Sequence, residues 1–285
     1  MNFSTKFIDT ILDIEHDGEV SQPRDLKVKE LLFEHIAINP LEPIADFKAR
    51  PFNWKYLAGE LAWYLKQDRN VDYIGAFSTF WSHITNPNTN EINSNYGSLV
   101  FNKEQLGWVI DSLLKDKNSR QAIMFFNQPK FQFEGNKDFV CTMYANFFIR
   151  DNKLNMKVQM RSNDIFYGLT FDAPFFSFLH QSVYLILKDQ YQDLEIGTYH
   201  HFADNIHFYE RHFELADKIR NEKPWNNPTP HFELKQKFID YDGQEVKLTP
   251  AGQDFIVRID NSIVEHDTMP SRDYYKEILQ DYFKI

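Results

Sequence analysis

The chain of 285 residues contains a single cysteine, Cys141, inside the run DFVCTMYANFFIRDNK. A thiolate is a strong nucleophile, but an isolated Cys in an apolar strand also serves as a small core hydrophobe, and residue type alone favours that second use. What could change the balance follows at set intervals: the pair Arg161 and Ser162, then Asp164, then Asp172 ahead of the aromatic-rich stretch APFFSFLHQSVYLILKD. If the Arg161 guanidinium approached the sulfur, it would lower the thiol pKa and raise the thiolate fraction. Arg161 is placed at the far end of the paired strand, so the hairpin alone does not establish that approach. Upstream, Glu60 sits in NWKYLAGELAWYLKQ with Leu57, Leu61 and Tyr64 around it at helical spacing. A carboxyl buried there would have a raised pKa and could relay protons, whereas on a solvated helix face it would do neither. Asp172 also reads as a helix N-cap followed by Ala173 and Pro174. The stretch HHFADNIHFYERH invites a metal, but no cysteine pair or His-Glu-x-x-His accompanies it, which argues against one.

The elements that must position these groups follow from pattern. Residues 4–14 form an amphipathic helix capped by Ser4, with Phe7, Ile8, Ile11 and Leu12 on one face. Residues 26–38 read as a strand, and a helix starts near Asn53 with Trp54, Leu57, Ala58, Leu61, Tyr64 and Leu65 inward. Another helix lies over KEQLGWVIDSLLKD. Strands are expected over 121–127 and 138–162, joined at Asp151 and Asn152 as a hairpin. A buried aromatic helix follows Asp172, then the strand LEIGTYHHF, a helix near 206–221, and a C-terminal helix over YYKEILQDYF. Helices mixed irregularly with antiparallel strands indicate an α+β architecture.

Composition sets the outer limits. With 34.0 kDa, 42% hydrophobic and 16% aromatic residues, the chain can bury a large core, and no repeat or linker divides it, so one domain over 1–285 is expected. A formal charge of −10, from 31 basic and 41 acidic residues, argues against a nucleic-acid polymer as partner and requires any anionic ligand to meet a local basic cluster. One cysteine excludes a disulfide framework and suits a reducing cytoplasm. No signal peptide is read at the N-terminus, and no apolar run approaches the ~18 residues a membrane span requires.

Taken together and in order, Cys141, MRSND at 160–164 and FYGLTFD at 166–172 resemble the thymidylate synthase superfamily over roughly residues 20–215. The further matching blocks are GELAWYL with Glu60, FWSHI with Trp81, EINSNYG with Tyr96, KNSRQAIMFFN with Arg120, and NIHFY with His207 and Tyr209. The resemblance implies a thymidylate synthase-like fold, a mixed and mainly antiparallel sheet flanked by helices, whose sheets pack in a homodimer. It implies that Cys141 adds to C6 of a pyrimidine, so that C5 attacks the methylene of 5,10-methylenetetrahydrofolate as co-substrate without a metal. The exocyclic methylene left by loss of tetrahydrofolate is then captured by water as hydroxymethyl or reduced by hydride to methyl. By the same resemblance Glu60 positions water and relays protons, and Tyr96 supports that water. Arg161, Ser162 and Arg24 bind the 5′-phosphate, joined by Arg120 from the second subunit, while His207 and Tyr209 meet the sugar 3′-hydroxyl. Trp81 and Asp164 line the folate site.

Two departures narrow the branch. The family commonly has Asn where this chain has Asp172; cytosine offers an acceptor at N3 and a donor at N4, the reverse of uracil, and a carboxylate suits the amino group. Thr142 follows the cysteine where His is common. INSNYG, CT, IRDNK and MRSND look most like phage-type deoxycytidylate hydroxymethylases, which implies hydroxymethylation of dCMP in a host cytoplasm. The alternatives are methylation of dUMP or dCMP, hydroxymethylation of CMP, and a silent nucleotide- or RNA-binding homologue, against which the joint presence of Cys141, Glu60 and the Arg-Ser pair argues. Gln121 stands where the family commonly has a second arginine. Residues 222–285 match the family poorly.

Overall fold

The computed structural model describes residues 2–86, 89–223, 229–264 and 270–285. Helix α1 (Phe3–Asp17) buries Phe7, Ile8, Ile11 and Ile14, and its cap is Asn2, whose side chain accepts from the Thr5 amide. Ser4 lies inside the first turn instead of capping it, because the chain becomes helical at Phe3. Strand β1 (Glu19–Ser21) pairs with the long β2 (Val28–Ile38), which is interrupted at Phe33 by a positive φ of 62°. Helix α2 (Trp54–Lys66) starts at the Asn53 cap and buries every residue but Lys55, Tyr56 and Lys66, so Glu60 is carried into the interior. Short α3 (Val71–Gly75) and α4 (Tyr96–Val100) follow, and a π-helical turn at Lys103–Gly107 leads into α5 (Trp108–Lys115).

The β3 strand (Ile123–Phe125) borders the hairpin of β4 (Thr142–Arg150) and β5 (Lys153–Met160). Asp151 and Asn152 turn the hairpin with φ of 48° and 59°, the two left-handed positions a two-residue turn requires. Cys141 stands one residue ahead of β4, so the strand run expected over 138–162 begins only at Thr142. Strand β6 (Asn163–Asp164) runs into a π-helical turn at Ile165–Leu169 and then α6 (Thr170–Lys188). The β7 strand (Glu195–Tyr209) is longer than LEIGTYHHF: residues 203–209 complete it, including 206–209 expected as helix, and α7 begins only at Phe213, ending at Arg220, because Ile206 and Phe208 are buried on the strand.

The main sheet has the order β1-β2-β7-β5-β4-β3, with β6 beside β7. The β5–β7 and β6–β7 pairs are parallel and the others antiparallel, so the sheet is mixed and mainly antiparallel. Buried residues from Phe3 to Phe283 form one continuous apolar cluster, with the aromatic face of α6 (Phe175, Phe176, Phe178) at its centre. Beyond α7, β8 (Glu233–Leu234) pairs with β11 (Phe283–Lys284), and β9 (Ile239–Tyr241) with β10 (Val246–Leu248). Helix α8 (Pro250–Val264) was not legible in the sequence; α9 (Arg272–Tyr282) buries Tyr275, Ile278, Leu279 and Tyr282, and Lys276 lies over the Trp54 ring of α2. No helix among the described residues is long and apolar enough to cross a membrane.

Candidate active site

The β4–β5 register decides where Arg161 goes. Thr142 faces Met160, so the next pair outward is Cys141 and Arg161, and the Arg161 amide donates to the Cys141 carbonyl at 2.9 Å. The two residues therefore lie at the open end of the hairpin together, not at opposite ends of it. The guanidinium curls back, donating from Nε to the Val140 carbonyl at 3.2 Å and from Nη2 to the Phe139 carbonyl, and Nη2 lies 3.5 Å from Cys141 Sγ. Burial nonetheless pushes the Cys141 thiol up and outweighs Arg161, with Asp172 and Asp138 acting in the same direction and Arg24 against. The expected fall in thiol pKa is thus reversed, because the half-buried sulfur loses more hydration than one neighbouring cation returns.

The strand end is clamped from below. Buried Asp138 accepts from the Ser94 amide at 2.7 Å and from the Ser94 hydroxyl, while Asn93 Nδ2 donates to the Asp138 carbonyl at 2.9 Å. This ties the INSNYG loop to the segment that carries Cys141. Tyr96, next in that loop, places its hydroxyl 2.9 Å from Thr142 Oγ1 and stacks its ring on Tyr64 at 5.4 Å.

Glu60 is 5% exposed, and Oε1 accepts from Tyr56 at 2.8 Å and Tyr64 at 3.3 Å. The indole of Trp81 donates to Tyr56 Oη at 3.0 Å, so Trp81, Tyr56 and Glu60 form one chain of hydrogen bonds. Burial pushes Glu60 up to about 8 against the two tyrosine donors, with the nearby Asp172 adding to the rise. Tyr56, one turn before Glu60 on the same face, was missed; its spacing of four from Glu60 is the signal that could have identified it.

Asp172 is not an N-cap. The helical run starts earlier, and its cap is Asp164, whose Oδ1 accepts from the Phe166 and Tyr167 amides at 2.7 and 2.8 Å. Asp172 sits instead in the first turn of α6, with Oδ2 accepting from Asn163 Nδ2 at 2.6 Å. Burial raises Asp172 to about 6 despite that bond. Gly168 makes the contact possible, since a Cβ there would fall 2.7 Å from Asn163 Nδ2. Asn163 lies within the quoted MRSND but was not singled out.

Asp164 is likewise raised by burial to about 6, and its Oδ2 is buried with no hydrogen-bond partner among the described residues. A ring N–H of a bound ligand would satisfy it, which is how a pterin could fit here. Pairing of β6 with β7 sets Asp164 beside His207. His207 Nδ1 lies 2.8 Å from Asn205 Oδ1, and burial pushes its pKa down to about 4. The Arg211 guanidinium lies 4.3 Å over the half-buried Tyr209 ring. Ser162 is half-buried between Arg161 and Asn163. Arg24 occupies a tight turn with φ of 52° and is near enough to act on Cys141, His207 and Tyr209.

Arg120 is not brought to this group. It is exposed between α5 and β3, where the Ala122 carbonyl accepts from the Phe147 amide and Asn118 from Arg150, beside the later half of β4. Cys141 precedes β4, and six residues of strand span roughly 20 Å, beyond an arginine's reach. Among the described residues no cluster of three or more His, Cys, Asp or Glu could hold a metal ion.

The family model described as Thymidylate synthase matches residues 5–251, further in both directions than the blocks read from sequence. The chain is 30% identical over 236 residues, 77% of its length, to the deoxycytidylate 5-hydroxymethyltransferase of Enterobacteria phage T2, covering 92% of that protein. The phage T4 enzyme of the same name is 31% identical over 209 residues, 67% of this chain and 85% of that one. A deoxyuridylate hydroxymethyltransferase of Bacillus phage SP01 is 27% identical over 218 residues, 71% of this chain and 56% of that protein.

Proposed function

The chain belongs to the thymidylate synthase family, and from that premise we propose that this pyrimidine C5 one-carbon transferase acts on deoxycytidylate. It takes the carbon from 5,10-methylenetetrahydrofolate, uses water as the final trap, and releases 5-hydroxymethyl-dCMP and tetrahydrofolate, acting as one catalytic domain. The observation that carries this reading is Asp172: a carboxyl in the same buried group as Cys141 and Glu60, with one oxygen held by Asn163 and the other available to a base. An ionised Asp172 accepts from the cytosine N4 amino group; a protonated one also donates to N3. Facing uracil, the same carboxylate would meet the O4 acceptor without a donor to offer.

Cys141 forms the Sγ–C6 bond, its thiol proton leaves, and the C5=C6 electron pair moves to C5. Burial holds the thiol protonated in the free enzyme, so the proton leaves as Sγ bonds to C6, with the Arg161 guanidinium at 3.5 Å stabilising the charge that develops on the sulfur. Methylenetetrahydrofolate, when bound, supplies the carbon at the oxidation level of formaldehyde. Glu60, protonated at neutral pH, holds and moves protons through Tyr56 and Tyr64 and orients the water that completes the product. Cys141 departs once water has added. Arg161, Ser162 and Arg24 meet the phosphate, His207 and Tyr209 the sugar, and Asp164 with Trp81 the folate. Arg120 serves the site of a second copy, which makes the working unit a homodimer.

The SP01 relative favours a second reading, the same water trap on deoxyuridylate. Mass spectrometry of nucleotides after incubation with methylenetetrahydrofolate separates the possibilities. A gain of CH2O on dCMP, with little on CMP or dUMP, is the expected result. A gain of CH2 would replace water by hydride, and reaction confined to dUMP would overturn the reading of Asp172.

A further inference from the structure

Behind Asp172 lies a line of buried polar side chains that the reaction just described does not use. Tyr199 and His201, both wholly buried, are two residues apart on β7 and so project from the same face of the strand. Tyr199 Oη is 2.6 Å from His201 Nδ1, and His201 Nε2 is 3.2 Å from Asn163 Oδ1. Asn163 Nδ2 in turn is 2.6 Å from Asp172 Oδ2. Asn163 is 3% exposed, and its amide is held between the imidazole on one side and the carboxylate on the other.

The direction of every bond in this line follows from donor and acceptor capacity. An ionised carboxylate can only accept, so Asn163 must turn its NH2 group to Asp172 and its carbonyl oxygen to His201. That oxygen needs a donor, so His201 carries its proton on Nε2. Burial pushes His201 down to about 3, with His35 adding to the fall, so the ring is neutral and its Nδ1 is left as an acceptor. The Tyr199 hydroxyl must then donate to Nδ1. Each bond dictates the next, and reversing any one of them leaves two donors or two acceptors face to face in the core.

We infer that Tyr199, His201 and Asn163 form a one-way hydrogen-bond relay that positions Asp172 and decides which pyrimidine it accepts. The relay commits Oδ2 to Asn163 and leaves Oδ1 to the base. Without the His201 donor, the Asn163 amide is free to turn its oxygen toward Asp172, which suits a protonated carboxyl and gives the base a different partner. Gly168 belongs to the same device: a Cβ there would also lie 3.2 Å from Asp172 Oδ2. Tyr199, His201 and Asn163 are positioning residues, since they act on the nucleotide only through Asp172. The part of the inference that concerns base choice rests on the function proposed above.

Titration of Asp172 in the free protein tests the relay without any substrate. The ionisable groups that act on Asp172 are Tyr56, Glu60 and Tyr64 of α2, Tyr96 of α4, Cys141 ahead of β4 and Tyr199 of β7, all neutral near pH 6. Carboxyl 13C resonances of the full chain, with that of Asp172 assigned by its absence in Asp172→Asn, are to be followed against pH. His201→Leu keeps the volume and removes the donor, and is expected to raise the Asp172 midpoint by about one pH unit. In calorimetry of the same protein the preference for dCMP over dUMP should fall about tenfold. His201→Gln, whose amide reaches the place of Nε2, should restore both. An Asp172 midpoint unmoved in folded His201→Leu overturns the relay, whatever the reaction proves to be. A midpoint that moves in a protein binding neither nucleotide upholds the relay and removes the proposed function instead. If His201→Leu does not fold, Asn163→Ala carries the same expectation, and an unmoved midpoint there is equally fatal.

Discussion

Asp172 shows how one carboxyl can be legible by type and misread by place. Its acidity, against the amide common in the family, was visible from sequence and pointed to cytosine; its supposed role as a helix cap was wrong, because Asp164 caps the turn that precedes α6. The partner that gives Asp172 its orientation, Asn163, was hidden, since the contact runs across a π-helical turn that no propensity signals. Cys141 shows the complementary error. Its neighbour Arg161 was identified, but the sign of the net effect on the thiol depends on burial, which only the fold supplies. At this scale the expectation for Asp172→Asn is a change of substrate: with the Asn163 NH2 group holding the new amide's oxygen, its own NH2 group is turned to the base, where it donates to uracil O4 but faces the N4 amino donor of cytosine. The ratio of kcat/KM for dCMP to that for dUMP should fall by about 10²-fold or more. An unchanged ratio would show that the base is read elsewhere.

Among the elements, α2 was the most legible, because its apolar face and Asn53 cap repeat at helical spacing and place Glu60 by themselves. The hairpin turn at Asp151 and Asn152 was legible for the same local reason. The end of β7 was not: NIHFYERH runs without a turn signal into the helix that follows, and only pairing with β2 and β6 keeps residues 206–209 extended. The approach of α4 to α2 was also invisible, although it sets the Tyr96–Tyr64 stack beside Glu60. It depends on Gly97, where an added Cβ would lie 1.7 Å from the Tyr64 carbonyl oxygen. That oxygen belongs to a buried helix backbone and cannot swing aside. Gly97→Ala should therefore cost about 1–3 kcal/mol in unfolding free energy by denaturant titration. It should also impair turnover, because the Tyr64 hydroxyl moves off Glu60. A variant of wild-type stability would show that α4 yields and that this contact is soft.

For the whole molecule, the buried ionisable groups set the dependence of stability on pH. His180, His201, His207 and His212 are held down at about 4, 3, 4 and 4, so below pH ~6.5 the unfolded chain binds more protons than the fold and stability rises with pH. Asp164, Asp172 and Glu60, raised to about 6, 6 and 8, act oppositely, because the fold retains protons that the unfolded chain has lost. Near pH 7 the protons still bound by the four unfolded histidines offset the one held by Glu60, and above that the histidines become neutral and the two aspartates ionised in both states, which leaves Glu60 of these seven. Stability should then fall between pH 7 and 8 by about 0.5 kcal/mol per unit, and most of that fall should vanish in Glu60→Gln. A Tm that declines equally in that variant would place the proton elsewhere.

Assembly is argued from the same whole-molecule view. Arg120 stands roughly 20 Å of strand away from Cys141 in its own chain, while the sheet presents exposed His35 and half-exposed Tyr144, Phe148, Lys157, His200 and Phe202, with Phe33 79% exposed at its edge. If a second copy packs on that surface and lends Arg120, a chain lacking Cys141 can still complete its partner's site. Cys141→Ser and Arg120→Ala, each nearly inactive alone, should recover activity when refolded together. Random pairing makes half the dimers mixed, and each mixed dimer holds one complete site of two, so about a quarter of the wild-type rate is expected. No recovery, with sedimentation showing that mixed dimers had formed, would mean that Arg120 serves its own chain or none.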